Sequence, residues 1–598
     1  MKRVVVDFET YYDKEYSLSK MTTEEYVRDE RFETIMCGFK VGNASPYWIP
    51  GPMVAEHLTT LQLEECAVIA HHAQFDGLIL SHRYGVRPGF WIDTLSMARA
   101  LHGAKGGNSL AKLSQRYGLP PKGTEVLNAI GKHYADFSRA QLAEYGAYCC
   151  HDCSLENKLA KRMVPQFAKF ELDLIDATIR LFTEPTLRLN VPKLQEYIEE
   201  LRIRQVDLLM RAGVQLTDVR SNDKFAEALR FFGVTPPVKM SPKTGKLTYA
   251  FAKTDIGMQE LLEHEDEAVQ ALAAARINAR STINETRAER MIGMASRGAA
   301  CVYLNYYGAD QTGRASGGDK MNWQNLTRGS LLREAVEAPK GHELVVGDSA
   351  NIESRQLDWL AGQDDQVEAY RNYDRGTGPD IYCVMAEKIF KRKITKKNDP
   401  NERFLGKVSK LGLGYGMGDE KFAVTAKIAP SLASDIVRVY RESHPRVMAL
   451  HKRANEALEL IAQGVVGAKV DYRGIVTTAE QGLLLPNGLV IKYTDLERSK
   501  EGWTYWNGRA RVKIYGGKVV ENIVQALARI IVMTQTLMVP RKLVMSVHDE
   551  GVWCVPVEDV LQTEYEVSWA LRQPLPWCPD LPLNCEVGSH KSYGKAKT

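Results

Sequence analysis

Short apolar runs rich in β-branched residues punctuate the first part of the chain, Val4-Val5-Val6 and Val68-Ile69-Ala70 among them, with stretches of helical periodicity between. Runs of that length predict buried strands, and their alternation with helices predicts a mixed α/β unit over residues 1–161. From 162 to 300 the pattern is predominantly helical, most clearly over Leu194 to Arg211 and Ala268 to Arg297. It breaks at Gly233 to Lys246, where Pro236, Pro237, Pro242 and Gly245 stand among lysines and predict a loop or small projecting hairpin. Strand-like runs return over 301–379, a second helical block fills 380–463, and strands resume over 464–598. No tandem repeat or low-complexity tract is present.

A chain of 598 residues exceeds one hydrophobic core, and about 150 residues per domain predicts roughly four units. The net charge of +4 is too small to hold a polyanion through the whole-molecule field, so any nucleic-acid contact must come from local patches. Only three valines separate Met1-Lys2-Arg3 from Asp7, too few for a signal-peptide core, and no long uncharged apolar stretch follows. A cytoplasmic location without membrane contact is expected. The ten cysteines lack framework spacing, as in a reduced intracellular protein. The cluster Cys149-Cys150-His151-Asp152-Cys153 has no second cysteine or histidine pair at a metal-site distance, so core thiols are expected there.

Asp7 and Glu9 end an apolar strand-like run, and strand alternation puts both carboxylates on one face. Asp76 follows Val68-Ile69-Ala70-His71-His72-Ala73-Gln74-Phe75, and Tyr148 and Asp152 are four apart, hence on one helical face. Any one of these would read as surface charge or a helix cap. Their order resembles the DEDDy-type 3′→5′ exonucleases. That resemblance implies an RNase H-like domain in which Asp7, Glu9, Asp76 and Asp152 hold two divalent metals and Tyr148 orients the attacking water. His72 stands where that motif commonly has asparagine, a departure bearing on how a primer end is held.

In the second half, Leu344 to Asp348 delivers a carboxylate at a strand end, and Leu543 to Trp553 reads as strand, acidic turn and strand around His548-Asp549-Glu550. Between them Arg403, Lys407, Leu411 and Tyr415 recur every fourth residue, near one face of a helix that drifts slowly. Two cations, an apolar patch and a ring suit a triphosphate and a base, although a solvated amphipathic helix has the same pattern. The basic run Lys391, Arg392, Lys393, Lys396 and Lys397 just before it reads equally as a phosphate contact or a solvated loop.

Taken together, Asp348 to Arg355, Arg403 to Gly416 and His548 to Glu550 resemble the three polymerase motifs of family A DNA polymerases, in the compact exonuclease-plus-polymerase form common in bacterial viruses. Thr312-Gly313-Arg314, Asn325-Leu326, Asp380-Ile381-Tyr382 and Asn522 to Gln525 support it. Ser349, Ala350, Asn351 and Leu411 depart from the motifs, and Tyr382 replaces the usual histidine.

The resemblance implies an α/β multidomain enzyme: exonuclease 1–161, thumb and connecting helices 162–300, palm 301–379 and 464–598, and fingers 380–463. It implies Mg2+ or Mn2+, two per active site, on Asp348 and Asp549, with Glu550 supporting. Arg403, Lys407, Leu411, Tyr415, Glu353 and Tyr382 would meet the nucleotide; Arg314, Asn325, Gln525 and His548 would meet DNA. Primer-template DNA and dNTPs are the expected partners of a monomer, with replisome proteins as further candidates. A single-subunit RNA polymerase is the nearest alternative; Glu353, resembling a filter against a ribose 2′-hydroxyl, and a proofreading domain speak against it. A non-catalytic replisome scaffold is disfavoured because all six metal-binding carboxylates are present.

Overall fold

The computed structural model describes residues 1–597 apart from 124–128, 242–244, 254 and 281–282. The first part of the chain is built on five strands: β1 (Lys2–Thr10), β2 (Thr34–Val41), β3 (Tyr47–Pro50), β4 (Cys66–Ala70) and β5 (Phe90–Asp93), in the order β3-β2-β1-β4-β5. β1 pairs antiparallel with β2 and parallel with β4. Central strands covered on both faces need continuous apolar runs, which is why Val4, Val5, Val6, Val68, Ile69 and Ala70 are all buried. Two helices flank the carboxylate-bearing end, α1 (Ala73–Leu78) and α2 (Arg139–Met163), the latter started by a capping box of Ser138 and Gln141. α2 runs through the boundary expected at 161. It packs so closely on the sheet at Gly38 that a Cβ there would lie 2.6 Å from Cys149 Sγ and 2.7 Å from Cys153 Sγ.

α3 (Lys169–Thr183) and α4 (Val191–Ala212) lead to a helical cluster with its own core of Phe225, Leu229, Met258 and Leu272. The expected projection is a hairpin of Val238–Met240 and Leu247–Tyr249; Pro242 lies outside the described residues.

The second half is organised on β6 (His342–Ser349), β7 (Leu543–Val547), β8 (Glu550–Pro556) and β9 (Cys585–His590), antiparallel in the order β7-β8-β6-β9. Helices α5 (Ile352–Ala361), α6 (Ile381–Phe390), α7 (Pro400–Val408) and α8 (Gly516–Met538) surround the acidic strand ends. The helix expected through Tyr415 differs in one respect: α7 gives way to a π-helical turn at Ser409–Leu413. Twelve residues of α-helix rotate well past a whole number of turns, whereas a wider π turn advances less per residue and cancels part of that drift. The turn also sinks Lys410, 2% exposed, onto Asp358 at 2.6 Å.

The two halves are joined by buried polar contacts. Gln74 donates to the Leu304 carbonyl at 3.0 Å, and Arg297 reaches Glu24 at 2.7 Å. Fully buried Glu171 on α3 accepts from Tyr306 Oη and Asn487 Nδ2, each at 2.7 Å, and from the guanidinium of Arg529 on α8.

Candidate active sites

Asp7 and Glu9 share one face of β1, opposite Gly38 and Met36 of β2. Asp76 is brought to them because its Oδ1 accepts the Phe8 N–H at 3.1 Å, between the two acidic positions. α2 supplies Tyr148 and Asp152 one turn apart, so all five residues singled out in the sequence meet in one place. Burial first and then the nearby Asp152 push Asp7 up to about 7; burial and then Asp7 push Glu9 up to about 8. Asp76 is raised mainly by burial. Asp152 Oδ1 is buried with no hydrogen-bond partner among the described residues. Crowded, desolvated carboxylates with an open lone pair fit a divalent cation, which would relieve their repulsion.

Three neighbours were not anticipated. Tyr145, one turn before Tyr148 on the same face, donates its hydroxyl to Glu9 Oε2 at 2.6 Å. Lys122, from the loop before α2, places its ammonium on Asp152 and 4.7 Å from the Tyr148 ring centroid. Glu156, one turn beyond Asp152, is a further buried carboxylate raised by desolvation and then by Asp7. Cys149 and Cys153 are buried core thiols as expected, and the Cys149 sulfur also lies beside Asp7, 3.5 Å from its carbonyl oxygen and 3.8 Å from Oδ2. His72 turns towards the other half of the molecule, with Nε2 2.8 Å from the Tyr303 hydroxyl.

At the second centre, Asp348 ends β6 and Asp549 sits in the β7–β8 turn. Ser349 N–H donates to the Asp549 carbonyl at 3.1 Å, holding the two strand ends together. Burial and then Asp348 raise Asp549 to about 6; burial raises Asp348. Glu550, directly across from Asp348, is engaged by Arg333 at 3.1 Å and by the Tyr593 hydroxyl. Lys597 bridges Asp348 at 2.6 Å and Glu550 at 3.2 Å, a residue the sequence pattern did not single out. Two adjacent carboxylates already holding an ammonium fit a hard divalent cation.

A cleft of ≈ 970 Å3 opens from these aspartates and is lined by Arg403, Lys407, Leu411 and Tyr415. Glu353 accepts from the Tyr415 hydroxyl at 2.9 Å and from Arg314. Arg403 pairs with Asp380 at 2.6 Å and lies 5.3 Å from the Tyr382 ring, whose hydroxyl accepts from Asn351 at 2.8 Å. Gln525 also lines the cleft. Arg314 is delivered by a turn at Gly313, where φ is +63° and a Cβ would lie 2.6 Å from the Tyr307 ring, so a side chain is disfavoured. Burial and then Arg314 lower His548. Asn325 does not join the cleft: it is exposed at the end of Trp323–Asn325, and its carbonyl accepts from Arg287 at 2.9 Å. Of the basic run, Lys396 reaches the cleft while Arg392 is tied to Asp399 at 2.6 Å.

Against known proteins, residues 192–478 match the family model described as DNA polymerase family A. The DNA polymerase of Bacillus phage SP02 is 24% identical, aligned over 98% of both chains. A DNA polymerase I of Synechocystis sp. is also 24% identical over 85% of this chain, which spans about half (52%) of that relative. Among solved structures, the POL domain of Pol1 from M. smegmatis, in complex with DNA primer-template and dNTP, aligns with a TM-score of 0.70 at 18% identity. It covers 99% of this chain and 95% of that one, a likeness of fold. No helix among the described residues is long and apolar enough to cross a membrane.

Proposed function

We propose that this chain, whose residues 192–478 match the model of DNA polymerase family A and which is 24% identical along its length to a phage DNA polymerase, is a template-directed DNA polymerase that proofreads with its own 3′→5′ exonuclease. The observation that carries the polymerase reading is the cleft in which Asp348 and Asp549 share a wall with Arg403, Lys407 and Tyr415. Arg403 and Lys407 bind the incoming triphosphate, and Tyr415 with Leu411 flanks its base and sugar. Glu353, fixed by Arg314 and Tyr415, closes the space a ribose 2′-hydroxyl would need. Gln525, and Arg314 where it extends beyond Glu353, approach the minor-groove acceptors common to correct pairs. Asp348 and Asp549 would hold divalent cations, which would supply activation of the primer 3′-hydroxyl and charge neutralisation at the departing pyrophosphate.

In the same reading, residues 380–463 are the fingers, 162–300 the thumb with its connecting helices, and 301–379 with 464–598 the palm. The proofreading assignment is supported by the convergence of Asp7, Glu9, Asp76 and Asp152 beside Tyr148, whose hydroxyl would orient the attacking water. The phage relative favours action in a host cytoplasm, and the DNA-bound neighbour favours primer-template DNA as the partner.

Two variants test both activities. Asp549→Ala abolishes primer extension with dNTPs and leaves degradation of single-stranded DNA; Asp7→Ala does the reverse. A folded variant that lost both activities would contradict separate centres, and extension with rNTPs in place of dNTPs would point to transcription.

A further inference from the structure

The Asp7–Glu9 centre is not made of oxygen alone. Cys149 follows Tyr148 on α2, and Asp7, Glu9 and Cys149 offer ligand atoms all within 4.8 Å of one another. The thiol reaches this position because β2 carries glycine at position 38, which leaves room for two sulfurs between helix and sheet. A second observation comes from the next turn of the same helix: Asp152, 2% exposed, is paired with Lys122 through Oδ2 and leaves its buried Oδ1 without a partner among the described residues. At Asp348 and Asp549 no such grouping with sulfur occurs among the described residues. The nearby Cys585 is directed instead to the Ser568 carbonyl at 3.7 Å.

We propose that Cys149 is a direct ligand for a thiophilic divalent cation at the Asp7–Glu9 centre. The two centres of this chain therefore differ in metal selectivity. The distances agree with coordination. Oxygen and sulfur ligands about 2.1 and 2.3 Å from a tetrahedral ion stand about 3.6 Å apart, and the sulfur lies 3.8 Å from Asp7 Oδ2. Hard Mg2+ takes the carboxylates and water and leaves the thiol aside, whereas Zn2+, Cd2+ or Co2+ takes the thiolate as well. The thiol proton passes to solvent as the metal–sulfur bond forms. The Asp348–Asp549 centre keeps its preference for oxygen-seeking ions. The proposal deepens the proofreading reading but rests on the geometry of the site, so it is tested by a signal other than nuclease activity.

The full chain is titrated with Co2+ and followed by thiolate-to-metal charge-transfer absorption. One equivalent produces the band in the wild type and in Asp549→Ala. The band disappears in Cys149→Ser and in Asp7→Ala, with Co2+ affinity at that site reduced at least about tenfold. Cys153→Ser, one turn away and against the same glycine, controls for disturbed packing and keeps the band. Absence of the band in the wild type, its persistence in Cys149→Ser, or its loss in Cys153→Ser overturns the proposal. A band in a protein that degrades no single-stranded DNA would remove the proofreading reading and leave the metal site standing.

Discussion

Replacing Glu353 by alanine tests the sugar-discriminating wall of the cleft. The carboxylate makes two charge-assisted contacts, one from the Tyr415 hydroxyl at 2.9 Å and one from Arg314. Their costs differ. Glu353 and Arg314 side chains are 24% and 23% exposed, so water replaces much of what Arg314 loses. Tyr415 has less access to solvent, and a hydrogen bond to a charged acceptor is worth about 1.5–3 kcal/mol. At about 1.4 kcal/mol per factor of ten, dNTP kcat/KM falls roughly ten- to hundredfold through the displaced Tyr415 ring. Ribonucleotide kcat/KM falls less or rises, because the alanine leaves space for the 2′-hydroxyl, so discrimination narrows. Glu353→Gln keeps the volume and an acceptor for Tyr415 and retains discrimination. Single-nucleotide insertion with matched dNTP and rNTP, with the nuclease disabled by Asp7→Ala, measures both. Unchanged selectivity in Glu353→Ala, or equal loss in Glu353→Gln, refutes the reasoning.

Leu411 lines the cleft without a hydroxyl, so dideoxynucleotides are poor substrates. Leu411→Tyr improves their use at least about fivefold, the worth of one hydrogen bond, and chain-termination ladders showing no gain would misplace this turn. 2-Aminoadenine is inserted opposite thymine within about tenfold of adenine, because its added amino group lies where that of guanine is already tolerated and contributes one further hydrogen bond; strong rejection or strong preference in single-nucleotide insertion would reveal a sensor beyond Arg314 and Gln525. In EDTA, stability falls as pH rises: with Asp7 raised to about 7 and Glu9 to about 8, the native state binds more protons than the unfolded chain from the usual carboxylate range up to those values. Urea denaturation at about pH 6 and pH 9 checks this, and Asp7→Asn reduces the difference; a midpoint that rises with pH contradicts it.

Both carboxylate clusters could be read from the sequence because each aspartate or glutamate ends an apolar run or recurs at helical spacing, patterns that survive without knowledge of packing. Leu411 and Tyr415 were legible for the same reason. The π turn beneath them was not, since a shift in hydrogen bonding leaves the four-residue spacing of the sequence unchanged. Lys122 comes from a loop with no periodicity to mark it. Cys149 looked like ordinary core because its position depends on what lies opposite, a glycine more than a hundred residues earlier. Asn325 matched a motif yet sits outside the cleft, since a match along the chain carries no information about which way a short 3-10 turn faces.

Glu171 has a consequence for how the molecule is made. Its ionic partner, Arg529, is encoded 358 residues later. At synthesis rates of about 5–20 residues per second, the interval between the two is on the order of 20–70 s. Throughout that time α3 exists without the guanidinium that makes burial of this carboxylate tolerable. Burying an unpaired charge is strongly unfavourable, so α3 cannot seal against the rest of the molecule early, and the nascent chain keeps this seam wet until α8 has left the ribosome. The unit built on the first five strands is translated well before that pair is complete, so its attachment to the remainder is a late event of biogenesis.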